Sequence, residues 1–151
     1  MLLRLGYRVA YRGLQIYWYV FRPSTNGVKC VLTDGDRVLL VRHTYGDRRW
    51  DLPGGTLRRG EDPADGARRE MAEELGVELG ELTWLGSLQV RAYHREDRLH
   101  CFRAELDGTP ITLELAELSA AEWFPRGEIP AQVARFVGPI LARLETSRQT
   151  W

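Results

Sequence analysis

No apolar stretch of about 18 uninterrupted residues occurs in this chain, which excludes a clean membrane-spanning helix. The nearest approach, MLLRLGYRVAYRGLQIYWYVF at the start, is broken by Arg4, Arg8 and Arg12. Cysteine is scarce. Cys30 and Cys101 fall in the strand-like runs VKCVLT and LHCFRA without metal-ligand spacing, a pattern that predicts buried thiols rather than a disulfide and suits a reducing, cytoplasmic setting. Net charge is also lacking: 21 basic residues balance 21 acidic ones. No global field therefore draws the chain to nucleic acid, and a polyanionic RNA partner is disfavoured. Lysine is nearly absent, Lys29 being the lone one, and the sequence ties no function to that bias. There is no internal repeat and no low-complexity segment. With 151 residues the chain fits one domain that buries roughly two-thirds of its extended-chain surface, enough for an independent core.

What is present concentrates in Gly55 to Val77, GTLRRGEDPADGARREMAEELGV. Asp62 is placed to accept from the free amides of a helix start, Pro63 suits the first helical position and Gly76 suits the stop, so a helix is expected from about Pro63 to Leu75. Within it Glu70, Glu73 and Glu74 stand at i, i+3 and i+4 and share one face, while Met71 and Leu75 turn toward a core. Like charges so spaced cost roughly 0.2–0.5 kcal/mol per pair on an exposed helix, a penalty that a hard divalent cation more than offsets. An all-oxygen cluster favours Mg²⁺, with Mn²⁺ next. Arg69 is expected to orient or partly neutralise a carboxylate, Glu61 being one candidate partner. Gly54 and Gly55, following Pro53, let the backbone approach a ligand and free a carbonyl.

As a pattern the stretch is Gly55, five residues, Glu61, seven residues, then Arg69-Glu70-Met71-Ala72-Glu73-Glu74-Leu75-Gly76-Val77. It resembles the Nudix box of the Nudix hydrolases, complete and without substitution. If each fixed type falls by chance about one time in ten, seven coincide on the order of once in 10^7 windows. The resemblance implies an α+β chain with the Nudix fold, an α/β/α sandwich around a mixed sheet. It implies a Mg²⁺-dependent hydrolase (Mn²⁺ serving as well) that splits the pyrophosphate of a nucleoside diphosphate linked to another moiety X, a small-molecule nucleotide substrate. Carried over residue by residue, it assigns a metal-ligating carbonyl to Gly54, and makes Glu70, Glu73 and Glu74 residues that bind or work with the metal. A further acidic residue beyond the box often serves as base. Glu105, Glu114, Glu117 and Glu122 are candidates, and Glu117 is favoured, as a base and as a metal ligand, because the family's downstream acid commonly lies six residues before a Trp, here Trp123. Glu70 is the rival base. A non-catalytic nucleotide-binding or sensing module on the same fold is the alternative, but such proteins tend to lose box carboxylates, and all are present here.

The box names a reaction, not a substrate. Ala92 stands where some ADP-ribose-specific members carry proline, and Tyr93 lies one residue from a tyrosine typical of dinucleoside-polyphosphate enzymes. Tyr45, Trp50, Tyr93 and Trp123 are candidates for stacking a base, against a core role; His43, His94 and His100 show no ligand spacing.

Elsewhere, Asp34-Gly35-Asp36 between VKCVLT (28–33) and RVLLVRH (37–43) predicts a hairpin whose second strand is buried on both faces. Strands are expected at 82–93, 98–106, 111–115 and 121–124, and a last helix from Pro130 to about Leu144. The domain division is 1–26, a helical or extended N-terminal segment and linker, and 27–151, the hydrolase domain. Arg4, Arg8 and Arg12 form one stripe of an amphipathic N-terminal helix. That extension packs on its own domain, forms a homodimer interface or touches a membrane surface, three readings that the sequence leaves open; the last is disfavoured.

Overall fold

The computed structural model describes residues 25–92 and 95–148, with Gly6, Ala10 and Tyr11 ahead of them. Strand β1 (Thr25–Asp34) turns through Gly35, whose φ is 61°, into β2 (Arg37–His43), with Thr33 opposite Val38. The turn is the expected hairpin, and Arg37 Nη2 donates to Asp34 Oδ2 across it at 2.6 Å. Three residues, Gly54–Thr56, form β3 and pair with the start of β1, Lys29 standing opposite Gly54. Next come helix α1 (Pro63–Leu75), then β4 (Thr83–Ala92), β5 (Arg95–Glu105), β6 (Leu118–Pro125), a 3-10 turn at Arg126–Glu128 and helix α2 (Val137–Arg148).

The sheet order is β4-β5-β1-β2-β6, with β3 attached to β1. The β1–β5 pair is parallel and the other pairs are antiparallel, which makes the sheet mixed. Side chains alternate along a strand, and the core divides accordingly. Val28, Cys30, Leu32, Leu39 and Val41 meet Ala67, Met71 and Leu75 of α1; Val31, Val38 and Leu40 meet Val137, Ile140 and Leu144 of α2. Both faces of β1 and β2 are thus covered, which is why RVLLVRH reads as a continuous apolar run rather than an alternation. Each buried large aliphatic side chain contributes about 1.5–3 kcal/mol relative to exposure. Helix, sheet and helix form the expected three layers. Among the described residues no helix is long and apolar enough to cross a membrane.

Three expectations need correction. Residues 111–115 are not a strand: Thr112 and Glu114 donate their N–H groups to the carbonyls of Leu75 and Glu74 at 2.8 Å each, so the segment satisfies the open end of α1 instead of a sheet edge. The last helix does not begin at Pro130, because Trp50 N–H donates to Gln132 O at 3.0 Å and Ala134 N–H to Trp50 O at 2.8 Å, holding Val133 in a parallel bridge to Trp50; α2 starts at Val137. The 121–124 strand is longer, running from Leu118 to Pro125. Of the N-terminal segment, Gly6, Ala10 and Tyr11 are helical, whereas Arg4, Arg8 and Arg12 lie outside the described residues, as do Tyr93 and His94.

Candidate active site

The box helix is placed by local chemistry at both ends. Asp62 Oδ1 accepts from the amides of Ala64 at 2.9 Å and Asp65 at 3.3 Å, and Pro63 occupies the first turn. Gly76, at φ 63°, donates its N–H to Ala72 O at 3.1 Å, and Val77 donates to Met71 O at 3.3 Å, closing the other end. Ala67, Met71 and Leu75 recur every four residues and bury against the sheet. Glu70 and Glu74 lie beside that row and face β3.

Two glycines make the close approach possible. A Cβ on Gly54 would lie 2.0 Å from Val28 O, so only glycine lets this residue pack on the β1 backbone. A Cβ on Gly55 would lie 2.4 Å from the carboxyl carbon of Glu70. Glu74 is 2% exposed. Its Oε2 accepts from Gly54 N–H at 3.3 Å. Burial pushes the Glu74 carboxyl up to about 8, Lys29 pulling the other way and the charges of Glu70 and Glu117 adding to the rise. Glu70 is raised by burial as well, against the opposing pull of Arg69.

Arg69 organises the carboxylates. Its Nε donates to Glu61 Oε1 at 2.7 Å and Nη2 to Glu61 Oε2 at 2.9 Å, a bidentate pair. Nη1 reaches Glu70 Oε1 at 2.8 Å and Glu73 Oε2 at 3.2 Å, and Nη2 also reaches Thr56 O at 3.2 Å. The hydrogen bond from Arg69 holds Glu61 at about 2. The three carboxylates do not converge free of cations, since Arg69 bridges Glu70 and Glu73. Glu70 and Glu74 are buried toward β3; Glu73 has a side chain 52% exposed and lies 3.7 Å from Arg58 Nη2. Among the described residues no three acidic, His or Cys side chains are drawn together closely enough to enclose a metal ion. The donor set nevertheless suits a hard divalent cation: oxygen atoms only, two buried carboxylates with raised affinity for a proton, and a glycine face beside them that carries no side chain.

Of the acids beyond the box, Glu117 is the one whose charge raises both Glu70 and Glu74. Its backbone is fixed by Thr44, whose N–H donates to Glu117 O at 2.9 Å and whose Oγ1 donates to Ala116 O at 2.7 Å. Glu105 is committed to the hairpin, accepting from Thr33 Oγ1 at 2.6 Å and Gly35 N–H at 2.8 Å. Glu114 accepts from Ala116 N–H at 3.1 Å. Glu122 is exposed on β6 opposite Leu40.

Two residues near the site carry no motif and were missed in the sequence, Lys29 and Asp51, and His43, weighed there only as a lone histidine, lies beside them. Lys29 Nζ donates to Asp51 Oδ2 at 2.9 Å and Leu52 O at 3.1 Å and lies 5.1 Å from the Phe136 ring centre. His43 Nε2 is 3.8 Å from the same Asp51 oxygen. Burial raises the Asp51 carboxyl, but Lys29 and His43 outweigh it and hold the group below its usual range. The signal available was a single lysine inside an apolar strand, which demands a buried partner. Among the candidate stacking residues, Trp50 is a core residue, 7% exposed, under the Arg42 guanidinium at 4.2 Å; Trp123 packs on the α1-side core; Tyr45 remains half-buried beside His43. His100 packs against Trp84.

Comparison with known proteins agrees with this geometry. The chain is 32% identical over 99 residues to the mouse (Mus musculus) oxidized purine nucleoside triphosphate hydrolase, covering 62% of each. It is 31% identical over 103 residues to the ADP-ribose pyrophosphatase of Mycobacterium tuberculosis, covering 65% of this chain and 49% of that protein. The chain thus spans less than two-thirds of the length of either relative. The crystal structure of a MutT NUDIX hydrolase from Burkholderia pseudomallei shares the fold, with a TM-score of 0.75 at 21% identity over 81% of this chain and 98% of the other. The model of the NUDIX domain matches residues 23–144, a span that contains the sheet, the Arg69-centred carboxylates and both glycines, and the chain accordingly belongs to the NUDIX domain family.

Proposed function

We propose that the chain is a divalent-metal-dependent hydrolase of nucleotide pyrophosphate bonds, converting a nucleoside diphosphate linked to X into a nucleoside monophosphate and phosphoryl-X. The observation that carries this reading is a pair of buried carboxylates beside two glycines: Glu74 accepts from Gly54 N–H, and Glu70 is held next to Gly55 by Arg69, itself bidentate to Glu61. The names of both relatives denote enzymes acting on phosphate-linked nucleotides. The catalytic domain is assigned to 27–151, and its buried thiols, Cys30 and Cys101, support a cytoplasmic setting.

In this reading the Gly54 carbonyl, Glu70, Glu73, Glu74 and Glu117 would hold Mg²⁺, and Mn²⁺ could replace it. A cation bound there would supply charge neutralisation on the phosphate oxygens and a more acidic water. Arg69 keeps Glu70 in place through its Nη1 bond at 2.8 Å. The water oxygen bonds to phosphorus while the bridging P–O bond breaks, the leaving phosphate carrying the electron pair. Glu117 takes the water's proton; Glu70 is the rival for that task. Release of monophosphate or phosphate from ADP-ribose, NADH, sugar nucleotides, dinucleoside polyphosphates and nucleoside triphosphates, with Mg²⁺, Mn²⁺ or EDTA, tests the proposal. Metal-dependent cleavage of one class, abolished in folded Glu74→Gln, is the expected result. Silence across that panel, or wild-type turnover in Glu74→Gln, defeats it.

A further inference from the structure

Ahead of the family-matched span, Tyr11 touches the catalytic domain. Its ring centre lies 4.9 Å from that of Tyr45, with the planes tilted by 42°. Tyr45 is in turn 5.7 Å from the His43 ring, and His43 Nε2 is 3.8 Å from Asp51. A line of contacts therefore runs from outside residues 23–144 to the segment that enters β3. Position 46 explains why this contact is specific. Gly46 has φ 69°, and a Cβ built there would meet the Tyr11 ring at 3.1 Å from Cε1 and 3.2 Å from both Cζ and Oη. Gly35 has a similar φ, 61°, yet a Cβ there meets nothing within 4 Å. Gly35 is needed for its backbone alone. Gly46 is needed for its backbone and as the seat of an aromatic ring.

The seat lies on the loop that joins β2 to β3. One end of that loop is tied to Glu117 through Thr44, whose N–H donates to Glu117 O at 2.9 Å. The other end is tied at Trp50, which pairs with Val133. At the two ends of the loop His43 Nδ1 and Asp51 Oδ1 are buried without a hydrogen-bond partner among the described residues. We propose that Tyr11 docks the N-terminal segment on this loop and so holds the loop as one wall of the site for the moiety attached to the pyrophosphate. Tyr11 is then a positioning residue, acting through Tyr45 and Gly46. The substrate-facing half of this inference rests on the hydrolase reading; the docking half does not.

The docking half is tested on the full chain by thermal unfolding of Tyr11→Ala, Gly46→Ala, the double variant and Gly35→Ala. Gly46→Ala is expected to lower Tm more than Gly35→Ala does, and in the Tyr11→Ala background to lower it no more than Gly35→Ala. Additive shifts overturn the docking. For the wall, kinetics use whichever nucleotide of the panel is cleaved fastest, at saturating Mg²⁺. Tyr11→Ala should raise KM by about three- to tenfold with kcat unchanged, and Tyr11→Phe should restore it. An unchanged KM alongside a lowered Tm makes the contact one of packing alone and overturns the wall. A wild-type chain that cleaves nothing defeats the hydrolase reading and the wall with it, while the docking still stands or falls on the thermal cycle.

Discussion

Arg69 spends its guanidinium on three acids and one carbonyl, and no residue type other than arginine has that planar fork. Arg69→Lys keeps the charge but can satisfy only part of the set, so the carboxylates lose their common reference. A loss of about 10- to 100-fold in Mn²⁺ affinity or turnover is expected, read by Mn²⁺ titration of the folded variant. A second residue-scale expectation concerns Asp51 and acid. Its folded pKa is depressed by Lys29 and His43 acting against burial, so its contribution is present above the ordinary value of 3.8 and is lost as pH falls below it. Asp51→Asn strands the Lys29 charge in the interior, at a cost of about 3–5 kcal/mol at neutral pH. The gap between wild type and variant in urea unfolding should narrow as pH drops through 3.8; a constant gap contradicts the assignment. That such a pair exists was hidden in the sequence, because Lys29 and Asp51 are joined only by folding, whereas Arg69 and Glu61 announce themselves by spacing.

Among the elements, α1 was legible to the residue. Its cap, first-turn proline and closing glycine are local signals, and its apolar row repeats within the helix. Asp62→Ala should cost about 1 kcal/mol, measured by denaturant unfolding, since two amides lose their acceptor. The misjudged elements have the opposite origin. ITLEL carries the alternation of a strand, yet its amides go to carbonyls of Leu75 and Glu74, and Pro130 invites a helix that Trp50 delays by pairing with residues far along the chain. Tertiary hydrogen bonds overrode local preference in both places, and no window of sequence contains both partners. The same is true of Tyr11 and Gly46: each is ordinary alone, and only their contact gives them meaning.

For the molecule as a whole, two buried acids near one helix face are a liability until a cation compensates them. A ligand that binds only the folded chain stabilises it by about 2.7 kcal/mol at a hundred times its Kd. For a domain of this size that raises Tm by about 5–10 °C. Mg²⁺ should produce such a shift in wild type and a much smaller one in Glu74→Gln, whose remaining ligands are fewer; equal shifts point to a different metal site. The three-layer architecture was foreseeable from the family pattern and the apolar runs, while the pairing of Lys29 on β1 with Asp51 beside the box was not.

The parallel pairing of β1 with β5, which sets Thr25 beside Asp97 and Thr33 beside Glu105, also governs when the site can exist. Such a pairing closes a long loop before any contact rewards it, and non-local closures of this kind are slow. During synthesis the first strand must wait, with one side open, until the chain has been extended past Glu105; Glu117 comes later still. Assembly of the Glu70–Glu74 site is therefore a late event in the life of a newly made chain, and the interval before it is when an exposed edge of β1 is most prone to pair with the wrong neighbour.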